Sequence, residues 1–388
     1  GDVYKRQHYD LPVPETIDQH YAADLGSVRL RWERHTEFVT YTFSQQGPYA
    51  HPFAEPVLAQ IPAEWLSDLP GEVIAAVSLA VEACEMPERD NRALVGLFDG
   101  NPVIGSEVVA GAASAWSDLR IHPDGFFRIL IRDCSMSENQ AGRLAKRFLD
   151  INCYRALALL GLPLAREVLP ALGDADSRLA QVASRMAAQG ASPDPRFESE
   201  LLAELTGLAA EIEAISARTT YRFDASRAYY AVVGQRLEQL RQKRIEGLQT
   251  FGEFLESRLA PAIATCEATQ HRQVDLAERA SLRFADGEEK QDRRARREAG
   301  DEKEGAENRA APEWPGRHRA QKNARVDSQG RSDNRGPPSE SAFPSRLRRP
   351  SCNLLNEVAT GGGFTERPRK LSQCEEDREW IDGQQDPG

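Results

Sequence analysis

Hydrophobic and polar positions follow three regimes along this chain, and the changes between them divide it. From Val28 to Trp32 and from Glu37 to Phe43 they alternate at period two, rich in aromatic and β-branched residues, which predicts a half-buried antiparallel strand pair. Gly47-Pro48 turns the chain, Phe53 to Leu66 has helical spacing, and Leu69-Pro70-Gly71 stops it. A strand is predicted from Ile74 to Glu82. Ala93 to Phe98 and Val103 to Val109 flank Asp99-Gly100-Asn101-Pro102 and read as a hairpin. Trp116 to His122 and Phe126 to Asp133 flank Pro123-Asp124-Gly125 and read as another.

At Ser137 the period becomes helical. Ser137-Glu138-Asn139-Gln140 has the form of a capping box and opens a helix through Leu144, Phe148, Ile151, Tyr154 and Leu157, ended or bent at Gly161-Leu162-Pro163. Asp174 to Gln189 is amphipathic, and Gly190-Ala191-Ser192-Pro193-Asp194-Pro195 reads as a linker. Beyond it, Leu201, Leu205, Leu208, Ile212 and Ile215 follow the alternating four-three spacing of a packing seam, with Glu200, Glu204, Glu211 and Glu213 off it. A break is predicted at Thr219 to Asp224. A second helix then runs through Tyr230, Val233, Leu237 and Leu240 to Ile245, Leu248, Leu255 and Leu259, with a kink at Pro261 and a helical continuation to Leu282. Its outer face, with Arg236, Glu238, Arg241, Lys243, Arg244 and Glu246, reads as a solvated surface.

From about Arg283 apolar residues become sparse and aperiodic, which predicts a disordered stretch. The body uses arginine heavily and, after Lys5, only Lys146 and Lys243, a sign of GC-rich coding DNA whose wrong frames are rich in Arg, Gly, Ala and Pro. A frameshifted tail is therefore weighed beside a natural one, whose Arg293-Arg294-Ala295-Arg296-Arg297 run would suit nucleic acid or anionic lipid. The opening residues 1–7 resemble translated adapter sequence. The expected fold class is α+β: a mixed or antiparallel-sheet domain over 8–136, connecting helices over 137–190, a long coiled-coil-like helical domain over 197–282, and a disordered or frameshifted tail over 283–388.

Charge and cysteines narrow the classes. The net charge of −11 lies almost wholly before Asp286, so no nucleic acid is expected on the folded body. The six cysteines are scattered without Cys-x-x-Cys or Cys/His ligand spacing, so neither a disulfide framework nor a metal site is predicted, and a reducing, cytoplasmic compartment is expected. No apolar run reaches the roughly 18 residues of a spanning helix, so the chain as written reads as soluble. No Walker motif, HExxH, GxSxG or dinucleotide fingerprint is present, and no cofactor is expected. The one cluster with chemistry is the second hairpin. Alternation puts Asp118, Arg120 and His122 on one face, with Asp124 in the turn and Arg128 across it. Such a face would bind an anion or carry acid/base chemistry through His122, or be a wet face whose cross-strand charges pair.

Several motifs occur in an order that resembles a bacterial family of uncharacterised, membrane-anchored proteins, over residues 35 to about 282. They include His35-Thr36-Glu37-Phe38-Val39-Thr40-Tyr41-Thr42-Phe43, Trp116-Ser117-Asp118-Leu119-Arg120-Ile121-His122-Pro123-Asp124-Gly125-Phe126, and Gln140-Ala141-Gly142-Arg143-Leu144. Further matches are Tyr221-Arg222-Phe223, Arg227-Ala228-Tyr229-Tyr230 and Glu253-Phe254-Leu255-Glu256-Ser257-Arg258-Leu259-Ala260-Pro261. The resemblance implies C-terminal membrane-anchoring segments, which this chain lacks, and an inner-membrane location at the cytoplasmic face for intact members. It carries over no activity.

Three readings follow. The first is a non-enzymatic membrane-associated protein whose α/β head sits on a helical stalk that self-associates or binds a protein partner. The second, by analogy of layout with two-helix magnesium channels, is a truncated ion-conducting oligomer, with pentamers expected. The third is an enzyme using the Asp118 to Arg128 face.

Overall fold

The computed structural model describes residues 19–49, 51–188, 195–309 and 352–361. The expected adapter at 1–7 and the linker before Pro195 lie outside them. The described residues divide into a sheet unit, those within 19–157, 231–258 and 352–361, and a helical unit, those within 158–230 and 259–309.

In the sheet unit, β1 (His20–Asp24), β2 (Arg29–Arg34) and β3 (Phe38–Gln46) form an antiparallel meander, with Leu30 opposite Phe43. Behind it a 3₁₀ turn, Val57–Gln60, and the short helix α1 (Ala63–Ser67) bring Val57, Leu58, Ile61 and Trp65 against Leu30, Tyr41 and Phe43. Trp65 meets Tyr41 and Phe43 edge-on, the geometry favoured by the quadrupoles of aromatic rings. The longer helix predicted from Phe53 to Leu66 is thus two short turns, because Pro56 and Pro62 each precede one and hold an extended ψ.

The strand β4 (Glu72–Ala83) is buried over most of its length, as a strand covered on both faces must be. Where a strand was expected from Ala93 to Phe98, the chain forms a helix, α2 (Asn91–Leu97). Asp90 caps it by accepting the amide of Ala93 at 2.7 Å, and Leu94, Leu97 and Phe98, at helical spacing, are buried together. The strands β5 (Ile104–Val108), β6 (Ala113–Ile121) and β7 (Phe127–Asp133) complete an antiparallel run, with β6 and β7 as the predicted hairpin.

The mixed sheet is nine-stranded among the described residues, ordered β1-β2-β3-β9-β4-β7-β6-β5-β8. The strand β9 (Cys352–Gly361), inserted between β3 and β4, lies inside the stretch expected to stay unfolded. It runs parallel to both β3 and β4, burying Leu354 and Val358. Glu357 beside them is buried too, and burial raises its carboxyl pKa against bonds from Ser78 and from the amide of Leu58, which donates at 3.2 Å. The edge strand β8 (Lys243–Arg244) is two residues long.

A correction concerns the cysteines. Cys84 and Cys134 form a disulfide with Cα atoms 4.7 Å apart. Parallel neighbours β4 and β7 end in register, Ala83 beside Asp133, so the next residue of each strand is brought alongside. Their separation of 50 residues hid this pairing from local spacing.

The helix α3 (Glu138–Leu159) opens on the predicted box: the Ser137 amide donates to the Gln140 side chain at 2.9 Å, and the Gln140 amide donates back to the Ser137 hydroxyl. A turn at Leu160 separates it from α4 (Gly161–Ala188). In the helical unit, α4 presents Val168, Leu172, Ala175, Leu179 and Val182 at four-three spacing to Leu201, Leu205, Leu208 and Ile212 of α5 (Pro195–Gln239), with Leu276 and Ala280 of α6 (Phe251–Arg309) closing the core. At Gly161 a Cβ would stand 2.5 Å from the Ser226 hydroxyl, so only glycine lets α4 start this close to α5.

Three helical expectations are corrected. The break at Thr219–Asp224 is absent, because the Thr219 hydroxyl bonds back to the Ile215 carbonyl at 2.9 Å and pairs with buried Gln273, while Phe223 is buried. The chain breaks instead after Gln239, where Arg241 takes a left-handed φ of 48° and Gly247 one of 78°. Ile245 and Leu248 therefore lie in a loop. The next helix begins on an unforeseen capping box, with the Glu253 amide donating to the Thr250 hydroxyl at 3.2 Å and the Thr250 amide to the Glu253 carboxylate at 3.0 Å. Finally, α6 passes Pro261 unbroken and runs through Arg283 to Arg309, continued by the i,i+4 ion pairs Asp286–Lys290, Glu289–Arg293 and Asp292–Arg296.

Candidate functional site

The polar cluster at the β6–β7 tip grows from a bulge. Register shifts between Ser117 and Ile121, and Leu119 has a positive φ of 50°. The extra residue breaks the alternation: Asp118, Leu119 and His122 turn inward, whereas Arg120 and Ile121 are exposed. Arg120 thus does not share the face of Asp118 and His122. The bulge is held by the Ser117 hydroxyl, which donates to the Arg128 carbonyl at 2.7 Å and accepts the Leu119 amide at 3.0 Å. At the turn, the Gly125 amide donates to the His122 carbonyl at 2.8 Å with φ 87°, and the Phe126 amide donates to Asp124.

Two residues absent from the sequence expectation complete the cluster. Asp99, in the turn after α2, approaches His122 Nδ1 at 2.8 Å, and Asn101 Nδ2 donates to Asp118 Oδ2 at 2.8 Å. His122 Nε2 lies 3.1 Å from Asp118 Oδ2. Arg128 spans the open side, donating to Asp99 Oδ1 at 3.2 Å, Asp124 Oδ2 at 3.0 Å and the Leu97 carbonyl at 3.1 Å. The hydrogen bond from His122 holds Asp99 below the usual carboxylate range, with Arg128 adding to it. Under the cluster, half-buried Arg155 donates to the Leu119 carbonyl and lies over the Phe127 ring at 4.3 Å. Burial pushes its pKa down to about 10 against the pull of Asp118. The signal for Asp99 was the Asp-Gly turn, whose left-handed Asp99 (φ 53°) aims its carboxylate back at the hairpin.

Chemically, both ring nitrogens of His122 face carboxylate oxygens, so the imidazole has no free nitrogen to exchange a proton with a substrate. The nearby hydroxyl, Ser117, is committed to backbone. The arrangement ties a hairpin tip to a helix turn.

A second cluster was not foreseen. Glu33, buried on β2, accepts from Lys146 Nζ at 2.9 Å, Arg31 at 3.0 Å and the Thr40 hydroxyl at 3.2 Å. Asp150 bridges Lys146 at 3.1 Å and Arg236 at 3.0 Å. Burial alone would raise the Glu33 pKa, but Lys146 and Arg31 outweigh it and hold it at about 2. The only local signal was the Lys146/Asp150 helix spacing. Because the folded pKa lies below the unfolded one, this carboxylate stabilises fully above about pH 4.5, and that stabilisation is lost as pH falls towards 2. Glu33→Gln should therefore flatten the acid limb of a stability–pH curve between those values, measured by urea denaturation.

Of the predicted seam, Leu201, Leu205, Leu208, Ile212, Val233 and Leu240 are buried, while Ile215, Tyr230 and Leu237 are half-buried. Among the described residues no group of His, Cys, Asp and Glu is arranged to hold a metal ion.

The sequence profile of a family described as protein of unknown function, DUF3422, matches residues 5–285. The chain belongs to that family. No curated protein and no solved structure matches it. The DUF3422 match spans every residue of both clusters, and of the sheet strands it leaves out only β9.

Proposed function

We propose that this DUF3422 chain is a non-enzymatic scaffold, in which a mixed-sheet head is carried on a helical stalk that self-associates, with membrane attachment in intact members. The observation that carries the reading is the reach of α6. Among the described side chains, its last hydrophobic contacts with α4 and α5 are at Phe284 and Gly287, where a Cβ would stand 2.6 Å from Leu202, yet the helix continues to Arg309. Described side chains from Glu288 to Arg297 are nearly all exposed and charged. A helix extended some 30 Å past its core, at 1.5 Å per residue, is a means of reaching another molecule. The engaged nitrogens of His122 support the absence of catalysis. Membrane attachment rests on family resemblance; among the described residues one stretch, Glu138–Ala188, is long and apolar enough by composition to span, and its α4 part lines the core of the helical unit.

Sedimentation equilibrium tests this. The chain should associate reversibly, and Arg293→Glu with Arg296→Glu, which set like charges against Glu289 and Asp292, should weaken association. A monomer at all concentrations overturns self-association, and a stable pentamer would favour the channel-like reading instead.

A further inference from the structure

A cationic cluster stands apart from both sites. Arg143 and Arg147 lie one turn apart on α3, and Arg236 is tied to the same helix through its 3.0 Å bond to Asp150, which places the end of α5 beside them. Arg241 follows at the first left-handed position after α5. There glycine or asparagine is the usual residue, because a Cβ at positive φ is strained. Among the described residues, Asp150 is the one carboxylate that bonds any of the four, and it meets Arg236 alone; Arg143, Arg147 and Arg241 have no acidic partner. Arg128, Arg178, Arg185 and Arg279, by contrast, each pair with a carboxylate. Burial, reinforced by repulsion from Arg143, Arg236 and Arg241, lowers the pKa of Arg147. Unpaired like charges gathered on one face cost stability unless an anion neutralises them.

We propose that Arg143, Arg147, Arg236 and Arg241 form a binding site for a phosphate group. Guanidinium forks match phosphate oxygens in pairs, and α3, the end of α5 and the turn after it supply them, so that a tetrahedral oxyanion is held by charge-assisted bonds. The shared chemistry is a phosphate, borne by a soluble compound or by an anionic lipid headgroup. The site is independent of the scaffold reading.

The test uses the full chain. Thermal unfolding is followed in inorganic pyrophosphate and in sodium chloride at matched ionic strength, and co-sedimentation with phosphatidylglycerol vesicles is compared with phosphatidylcholine vesicles. Pyrophosphate should raise the unfolding temperature, or phosphatidylglycerol should retain the protein; the first alone marks a soluble ligand, and the second a headgroup. Arg147→Gln should weaken whichever response occurs by about tenfold in apparent affinity. The same variant should unfold at a higher temperature than the parent in chloride, because repulsion is relieved; a merely structural arginine would lower it. Arg120→Gln, an exposed arginine outside the cluster, should change neither. Absence of both responses in the parent, or a response unchanged in Arg147→Gln, overturns the site.

Discussion

Replacing Glu82 by alanine should lower the stability of the sheet unit by about 3 to 5 kcal/mol, the range found when one partner of a buried ion pair is removed. Glu82 is 1 % exposed on the central strand β4, where Arg89 donates through its Nη1 to both carboxylate oxygens and Arg132 lies 3.7 Å away. Arg132 is itself buried and wraps the chain after β4, donating to the carbonyls of Cys84 at 2.8 Å and Pro87 at 3.2 Å. Without the carboxylate, a cation stays in the interior with carbonyls as its only partners, which do not balance its charge. Arg89→Ala should cost less, because Arg132 still faces Glu82. Urea denaturation of the three proteins gives the comparison, and equal losses for Glu82→Ala and Arg89→Ala would refute the buried-charge account.

The second large effect is expected in the helical unit. Leu205, 1 % exposed, sits among Leu172, Leu208 and Leu276 in the three-helix core, so Leu205→Ala should cost about 2 to 5 kcal/mol through lost transfer energy and the cavity left behind. Leu237, half-buried, should lose less, about 1 to 2 kcal/mol, and Arg241→Ala should lose little. Circular dichroism melts rank the three. Indistinguishable midpoints would refute the assignment of Leu205 to a packed seam.

Local signals account for the elements they describe. The alternation of β2 and β3, the Pro-Asp-Gly turn between β6 and β7, and the Ser137–Gln140 box each depend on residues within a few positions of one another. The four-three spacing over Leu201 to Ile212 marks a face that is buried. What was not legible depends on distant partners. Thr219 reads as a helix breaker until Gln273 is beside it, and Cys84 reads as a lone thiol until β4 and β7 align. In the candidate site, Asp118, His122, Asp124 and Arg128 were found because they share one hairpin; Asp99 and Asn101 were not, because they come from another turn. Arg120 was misplaced by a bulge, which strict alternation cannot anticipate. The Glu33 cluster joins a strand, α3 and the end of α5, and no spacing rule connects those.

The position of β9 sets the timetable of synthesis. Thr42 and Asn356, hydrogen-bonded across neighbouring strands, are 314 residues apart in the chain. At roughly 5 to 20 residues per second the ribosome delivers the second about 15 to 60 s after the first. For that interval β3 and β4, which do not pair with each other, are open edges of two separate half-sheets on a nascent chain. The growing protein must therefore keep two sticky borders apart from other molecules until the strand that seals them has left the ribosome.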